Sequence, residues 1–216
     1  MSKSLRASDS RAEKALSIFL DRYFYPEIIR MGIISGYRRE YERDNQVNGI
    51  DLVVDDSINI DEKGQVHFIN NVKDSFIFEV DLFDDKHNKV ENGWFIKETN
   101  KTDKYMFFWI PEARTDQLNR IVSEDYIHVQ AVMLDKKVIK DYLRSCQITD
   151  SVLKKNAVKM RKELISKIDL NENCYMRFNP DRYVENPINL VVYRSKLDEL
   201  SEHIFDIYKD KVSVLK

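Results

Sequence analysis

Apolar and polar positions recur along this chain with two different periods, and the switch between them marks its elements. Ala12, Ala15, Leu16, Phe19 and Tyr23 stand at three- and four-residue steps, which predicts an amphipathic helix over residues 11–24. Ser10 with Glu13 three positions on has the form of a capping box at its start. Pro26 kinks or restarts the chain, and Gly32 and Gly36 end the segment after it. The stretch YRREYERDNQVNG is charged and reads as a connector. The period then drops to two. Residues 50–54 and 58–63 read as short strands, DSFIFEVDLFD and YMFFWI as aromatic-rich strands, and YIHVQAVML and INLVVY as two more. DDKHNKVENGW, between the aromatic strands, reads as turn and loop. Asp135 stands where a helix over KKVIKDYLRSC needs its cap. Leu153, Ala157, Met160 and Leu164 form another helical stripe, and Ser195 with Asp198 opens a helix striped by Leu197, Leu200, Ile204 and Ile207. Strands cluster mid-chain, with helices at both ends and late, so the expected class is α/β of the mixed α+β kind.

The length of 216 residues suits one domain with a sizeable core. That core is expected over about residues 10–135, with a helical and strand part over 136–216. Hydrophobic residues make up 43% and charged ones 33%, and no apolar run is long enough to cross a bilayer. The first residues, MSKSLRASDSRAEK, lack the apolar stretch of a secretory signal, so a cytoplasmic address is expected. Cys146 and Cys174 stand alone, which argues against a zinc site or a disulfide framework. His67, His87, His128 and His203 are scattered, and no Ser/His/Asp or Cys/His signature is present. Net charge is only −2, but its distribution is uneven. Residues 136–167 hold ten Lys or Arg against three acids, while residues 1–135 hold 18 basic and 25 acidic groups. Lys154, Lys155, Lys159, Arg161 and Lys162 could therefore track a phosphate backbone, or could simply solvate a helix face.

The two short strands carry the chemistry. An antiparallel pair turning at Asp55-Asp56-Ser57 sets Val54 against Ile58, Leu52 against Ile60, and Asp51 against Asp61. Leu52, Val54, Ile58 and Ile60 then share an apolar face, and Asp51, Val53, Asn59, Asp61 and Lys63 share the other. Two carboxylates about 4.5–5.5 Å apart repel. A shared proton, the Lys63 ammonium or a divalent cation would each offset that. An Asp-Asp-Lys face is suited to metal-assisted phosphodiester hydrolysis. The plainer reading is a hairpin whose polar side happens to hold acids.

Asp51, with Asp61-Glu62-Lys63 ten positions later, resembles the motif of the PD-(D/E)XK nuclease superfamily, with Ile50 in place of the proline. FLDRYFYP, DNQVNGIDLVV, IDEKGQ, FIFEVD, GWF and TDKYMFFWI, in that order over residues 19–110, resemble an uncharacterised branch carrying this motif. The resemblance implies a restriction-endonuclease-like core of mixed sheet flanked by helices, Mg²⁺ or Mn²⁺ as cofactor, and nucleic acid as substrate, with DNA the expected kind. Asp51 and Asp61 would hold metal with the backbone carbonyl of Glu62, and Lys63 would orient the attacking water. Gln65 matches a polar position after the lysine. An acid from the first helical region is expected as well, with Glu40, Glu42 and Asp44 as candidates. Beyond the resemblance, Glu79 could reach the metal from a neighbouring strand, and Gln46 and Gly49 lead into Asp51. Cleavage of both strands of a duplex would favour a homodimer. The rival readings are a non-catalytic nucleic-acid-binding protein on the same fold, and a structural, protein-binding domain.

Overall fold

A computed structural model of the chain describes residues 6–84, 89–180 and 186–216. In chain order the first elements are α1 (Arg6–Tyr23), α2 (Tyr25–Arg30), β1 (Tyr37–Arg39), α3 (Arg43–Val47), β2 (Leu52–Val54) and β3 (Ile58–Gly64). Next come β4 (Ser75–Asp84), β5 (Lys89–Asn92), β6 (Lys104–Ala113), β7 (Tyr126–Asp135), α4 (Lys136–Ser145) and α5 (Asp150–Glu163). The chain closes with β8 (Lys167–Asn171), β9 (Cys174–Phe178), β10 (Ile188–Tyr193), α6 (Arg194–Leu200), β11 (His203–Tyr208) and β12 (Val212–Val214). The result is a mixed α+β protein. No helix among the described residues is long and apolar enough to cross a membrane.

These elements form two compact units, and neither is contiguous in sequence. One comprises residues 6–73, Lys101–Lys136 and Leu200–Lys216; the other comprises Asp74–Asn100 and Lys137–Glu199. The first holds a seven-stranded sheet in the order β1-β2-β3-β6-β7-β11-β12. Within it β3 and β6 run parallel, and the other pairs run antiparallel. The α1 stripe of Ala12, Ala15, Leu16 and Phe19 packs in one cluster with Leu52, Val54, Ile60, Met106, Phe108 and Ala131. The second unit holds an antiparallel sheet in the order β5-β4-β10-β9-β8.

The β2–β3 hairpin has the expected register at Leu52 opposite Ile60, Val53 opposite Asn59 and Val54 opposite Ile58. The expected pair of Asp51 with Asp61 does not form, because Asp51 precedes β2 and its amide bonds to the Ile60 carbonyl instead. It turns without glycine. Asp55 and Asp56 take the left-handed conformation, φ 50° and 62°, which aspartate tolerates better than most residues. Ser35 secures that turn, since its amide and its hydroxyl both donate to Asp55 Oδ1, at 2.6 and 2.7 Å. Those donors hold the Asp55 carboxyl below its ordinary pKa. Thr102 and Asp103, which had no evident physical role in the sequence, fasten the hairpin from the β6 side. Thr102 Oγ1 donates to the Gly49 carbonyl at 2.7 Å, and Asn59 N–H donates to Asp103 Oδ2 at 2.9 Å.

Several expectations need correction. Helix α1 is already running at Arg6, so Ser10 is not its cap and Glu13 is not a capping-box residue. The charged connector contains β1 and α3. Leu164 does not continue the α5 stripe; it is the left-handed residue that ends the helix, and it is exposed. The predicted last helix stops at Leu200, and Ile204 and Ile207 lie on strand β11 paired with β7. Part of the segment read as turn and loop forms β5 against β4, and its residues 85–88 lie outside the described residues.

Candidate active site

Asp51, Asp61 and Lys63 are gathered where β3 continues past the end of β2. The Asp51 amide donates to the Ile60 carbonyl at 2.9 Å, and the Glu62 amide donates to Asp51 Oδ2 at 2.8 Å. Asp51 thus folds back onto β3 beside Asp61. Asp61 is 1% exposed, and its Oδ1 accepts from Lys63 Nζ at 2.5 Å. Its Oδ2 is buried and has no hydrogen-bond partner. Burial first, and then the neighbouring Asp51 carboxyl, push the Asp61 pKa from an ordinary 3.8 to about 7, although Lys63 pulls the other way. For Lys63, burial works against the charge, but Asp61 and Asp51 outweigh it and its pKa rises.

The backbone of β3 presents one more oxygen. Gln65 N–H donates to the Phe108 carbonyl on β6, whereas Asp51 N–H reaches Ile60 on the opposite side of β3. Amide and carbonyl directions alternate along a strand. Glu62 therefore points its carbonyl toward the β2 side, beyond the last paired residue of β2, alongside the amide that holds Asp51. Its side chain faces the other way into a polar cluster. Tyr25 Oη donates to Glu62 Oε1 at 2.5 Å, Arg39 Nη1 donates to Glu62 Oε2, and Arg39 Nε donates to Asp21 Oδ1 at 2.9 Å. Burial raises the Glu62 pKa, against the pull of Arg39.

A fourth acid belongs to this neighbourhood, and it is not one the sequence singled out. Glu13, on α1, has its pKa raised by desolvation, and its carboxyl feels the charges of Lys63, Asp9 and Asp51. The residue is exposed by surface area, yet its carboxyl lies close enough to protein atoms to lose hydration. The S-x-x-E pattern hid it as a cap. Once the helix runs from Arg6, the same position faces the hairpin.

The other candidates are placed differently. Of Glu40, Glu42 and Asp44, Glu40 lies next to Asp51, its amide donating to the Asp51 carbonyl at 2.9 Å. The Glu40 side chain accepts from the amides of Tyr41 and Glu42 and pairs with Arg38, Glu42 is the N-cap of α3 with no side-chain cap bond, and Asp44 is exposed on α3. Gln46 Nε2 donates to the Glu40 carbonyl. Gly49 has φ +76°, which fits the entry turn into Asp51. Gln65 Oε1 accepts from the Lys73 amide at 3.2 Å, a turn contact. Glu79 lies on β4 in the five-stranded sheet of the second unit, where β4 pairs with β5 and β10. On α5, Lys155, Lys159 and Lys162 are exposed and Lys154 is half-buried. Arg161 is no surface cation: it binds Asp81 at 2.5 Å and the Asn186 carbonyl at 2.8 Å.

The residues fit a hard divalent cation. A buried carboxylate oxygen without a donor, a second carboxylate beside it and a backbone carbonyl match the few oxygens Mg²⁺ takes from protein, with water and phosphate completing its shell. Among the described residues, no group of three or more His, Cys, Asp or Glu side chains is arranged to hold a metal by itself. Comparison of the chain with protein-family models, with curated proteins and with solved structures finds no match.

Proposed function

We propose that this protein is a metal-dependent nuclease of the PD-(D/E)XK type that hydrolyses phosphodiester bonds of nucleic acid, with DNA the expected substrate. The observation that carries the reading is Asp61 Oδ2, buried without a donor beside Asp51 and two residues from Lys63. Such an oxygen costs about 1–3 kcal/mol if nothing satisfies it. A cation shared with Asp51 would satisfy it.

Asp51, Asp61 and the Glu62 carbonyl would hold Mg²⁺ or Mn²⁺. The bound ion would supply Lewis acidity toward a phosphoryl oxygen and lower the pKa of its water. Asp61 fixes Lys63 Nζ next to that position. There the ammonium can hold the attacking water or the charge that develops on phosphorus oxygens. Glu13, its pKa raised by desolvation, is the acid that α1 adds beside Lys63 and Asp51. The exposed ladder of Lys155, Lys159 and Lys162 supports a polyanionic partner. A cytoplasmic setting accords with such a substrate, and a two-fold dimer would serve cleavage of both strands.

The test is incubation with single- and double-stranded DNA and RNA in Mg²⁺, Mn²⁺ or EDTA. Cleavage should require metal and should fall about 10²–10⁴-fold in Lys63→Met, which keeps the stem and removes the charge. Binding without cleavage in the parent protein, under every metal, would replace this reading with the non-catalytic one.

A further inference from the structure

The five-stranded sheet of the second unit has two unlike faces. Phe76, Phe78, Met176, Phe178, Leu190 and Val192 point to one side and are almost fully buried. Arg161 of α5 reaches that side, lying over the Phe178 ring and pairing with Asp81. The register puts the alternate residues on the opposite side. Asn189 lies between Glu79 and Arg177, and Arg177 pairs on with Lys167. In the next row Val191 lies between Ile77 and Tyr175. The rim of this side is open to solvent, with Ile77 52% and Tyr193 38% exposed and Lys167 and Arg177 exposed; toward the centre Tyr175 and Asn189 are half-buried and Val191 is covered by its neighbours.

The arrangement of this face is specific. Tyr175 and Tyr193 stand on adjacent strands near the middle of the sheet, with ring centroids 5.9 Å apart. Lys167 Nζ lies 4.6 Å from the Tyr175 centroid, and Arg177 is two residues along from Tyr175 on the same strand. Rings and apolar side chains hold the centre, and cations crowd toward the β8 side. Two acids share the face. Asp169 pairs with Lys167 at 2.6 Å, both side chains being well exposed, and Glu79 lies two strands from Tyr175. An exposed pair of this kind is screened and exchanges partners readily.

We propose that this face binds single-stranded nucleic acid, with bases stacked on Tyr175 and Tyr193, phosphates held by Lys167 and Arg177, and the Asn189 amide facing a base edge. Stacking suits single strands because their bases are unpaired and every base has a flat face. A duplex offers no such face to a sheet. The cations then sit where the backbone must run once the bases lie on the rings, which is the charge complementarity that favours nucleic acid over an apolar protein partner. The choice of nucleic acid rests on the proposed function, but the surface belongs to a different sheet from the hairpin, and its binding can be measured without hydrolysis.

The experiment uses the full chain in EDTA, with labelled oligothymidine and oligouridine followed by fluorescence anisotropy. Tyr175→Ala and Tyr193→Ala should each weaken binding about 5- to 150-fold, while Tyr→Phe at either position should keep it, because the ring does the stacking. Lys167→Met and Arg177→Met should each flatten the dependence of log affinity on log salt by about 0.7. Circular dichroism and thermal melting identify any variant that has lost its fold, and the phenylalanine variants test the idea if the alanine ones have. Unchanged affinity in folded alanine variants would overturn the proposal, as would duplex competing as well as single strand. Self-association of the parent chain that Tyr193→Ala abolishes would make the face a protein contact and overturn it too. Binding that depends on the tyrosines, with no cleavage under any metal, would sink the nuclease reading and leave this one. Cleavage with tyrosine-independent binding would do the reverse.

Discussion

Asp61→Asn should make the protein more stable at pH 8 when no metal is present. Asp61 is buried, one of its oxygens lacks a donor, and Asp51 stands beside it. Its pKa moves from 3.8 to about 7 on folding. Between those values the folded chain keeps a proton that the unfolded chain has released. Stability is therefore full below about pH 4 and is lost as pH rises through 7. At 1.36 kcal/mol per pH unit, the loss is on the order of 4 kcal/mol at pH 8, of which roughly 3 accrues above pH 5. Asparagine mimics the neutral acid, and its Oδ1 can still accept from Lys63 Nζ. Urea denaturation in EDTA at pH 5 and pH 8 should thus show a flatter pH dependence for the variant, and a higher midpoint at pH 8. Millimolar Mg²⁺ should stabilise the parent chain and not the variant, since only the parent offers the charged ligand. A variant less stable than the parent at pH 8, with parallel pH profiles, would refute the reasoning. The Lys63 ion pair would then outweigh the desolvation and the repulsion from Asp51.

Glu13→Gln should leave the melting curve nearly unchanged but lower cleavage, or raise the metal needed for half-maximal rate, about 10- to 100-fold. An unaltered metal titration would return Glu13 to the ordinary helix surface. Gly93→Ala should cost about 1–3 kcal/mol in chemical denaturation, because its Cβ would fall 2.4 Å from the Glu79 carbonyl oxygen and 2.5 Å from its carbon, both backbone atoms. Gly64→Ala should cost less, since its Cβ at 2.9 Å meets only the movable end of Leu16. Arg161→Met should strand the Asp81 charge and destabilise by about 3–5 kcal/mol, while leaving the salt dependence of nucleic-acid binding unchanged. Charge reversal at Lys155, Lys159 and Lys162 should flatten that dependence instead.

The hairpin was legible because two signals agreed: strict alternation on both arms, and a three-residue turn whose centre fixes the pairing. Strands β4, β6, β7 and β10 were legible for the same reason, their runs being long and rich in aromatic or β-branched residues. The failures were of local patterns that fit two structures. Ile204 and Ile207 are three apart, a helical step, but on β11 they stand on opposite faces and only Ile207 is fully buried. Ser10 and Glu13 satisfy a capping motif that occurs by chance within a running helix. Glu13 escaped notice as a neighbour of the hairpin because that proximity is set by α1 packing, which no local spacing records. Arg161 looked like its lysine neighbours until the fold supplied Asp81. The division into two units was also hidden, since each is assembled from segments far apart in the chain.

That interleaving also governs how the protein can be made. During vectorial synthesis α1 and the β2–β3 hairpin emerge early, but β6, the parallel partner of β3, comes only after β4 and β5. The last two strands of the same sheet, β11 and β12, emerge only after the rest of the second unit has been synthesised. The second unit has all its segments once residue 199 is made, whereas the first must still wait for residues 200–216. A nascent chain stalled before residue 203 therefore carries the hairpin motif without its completed sheet.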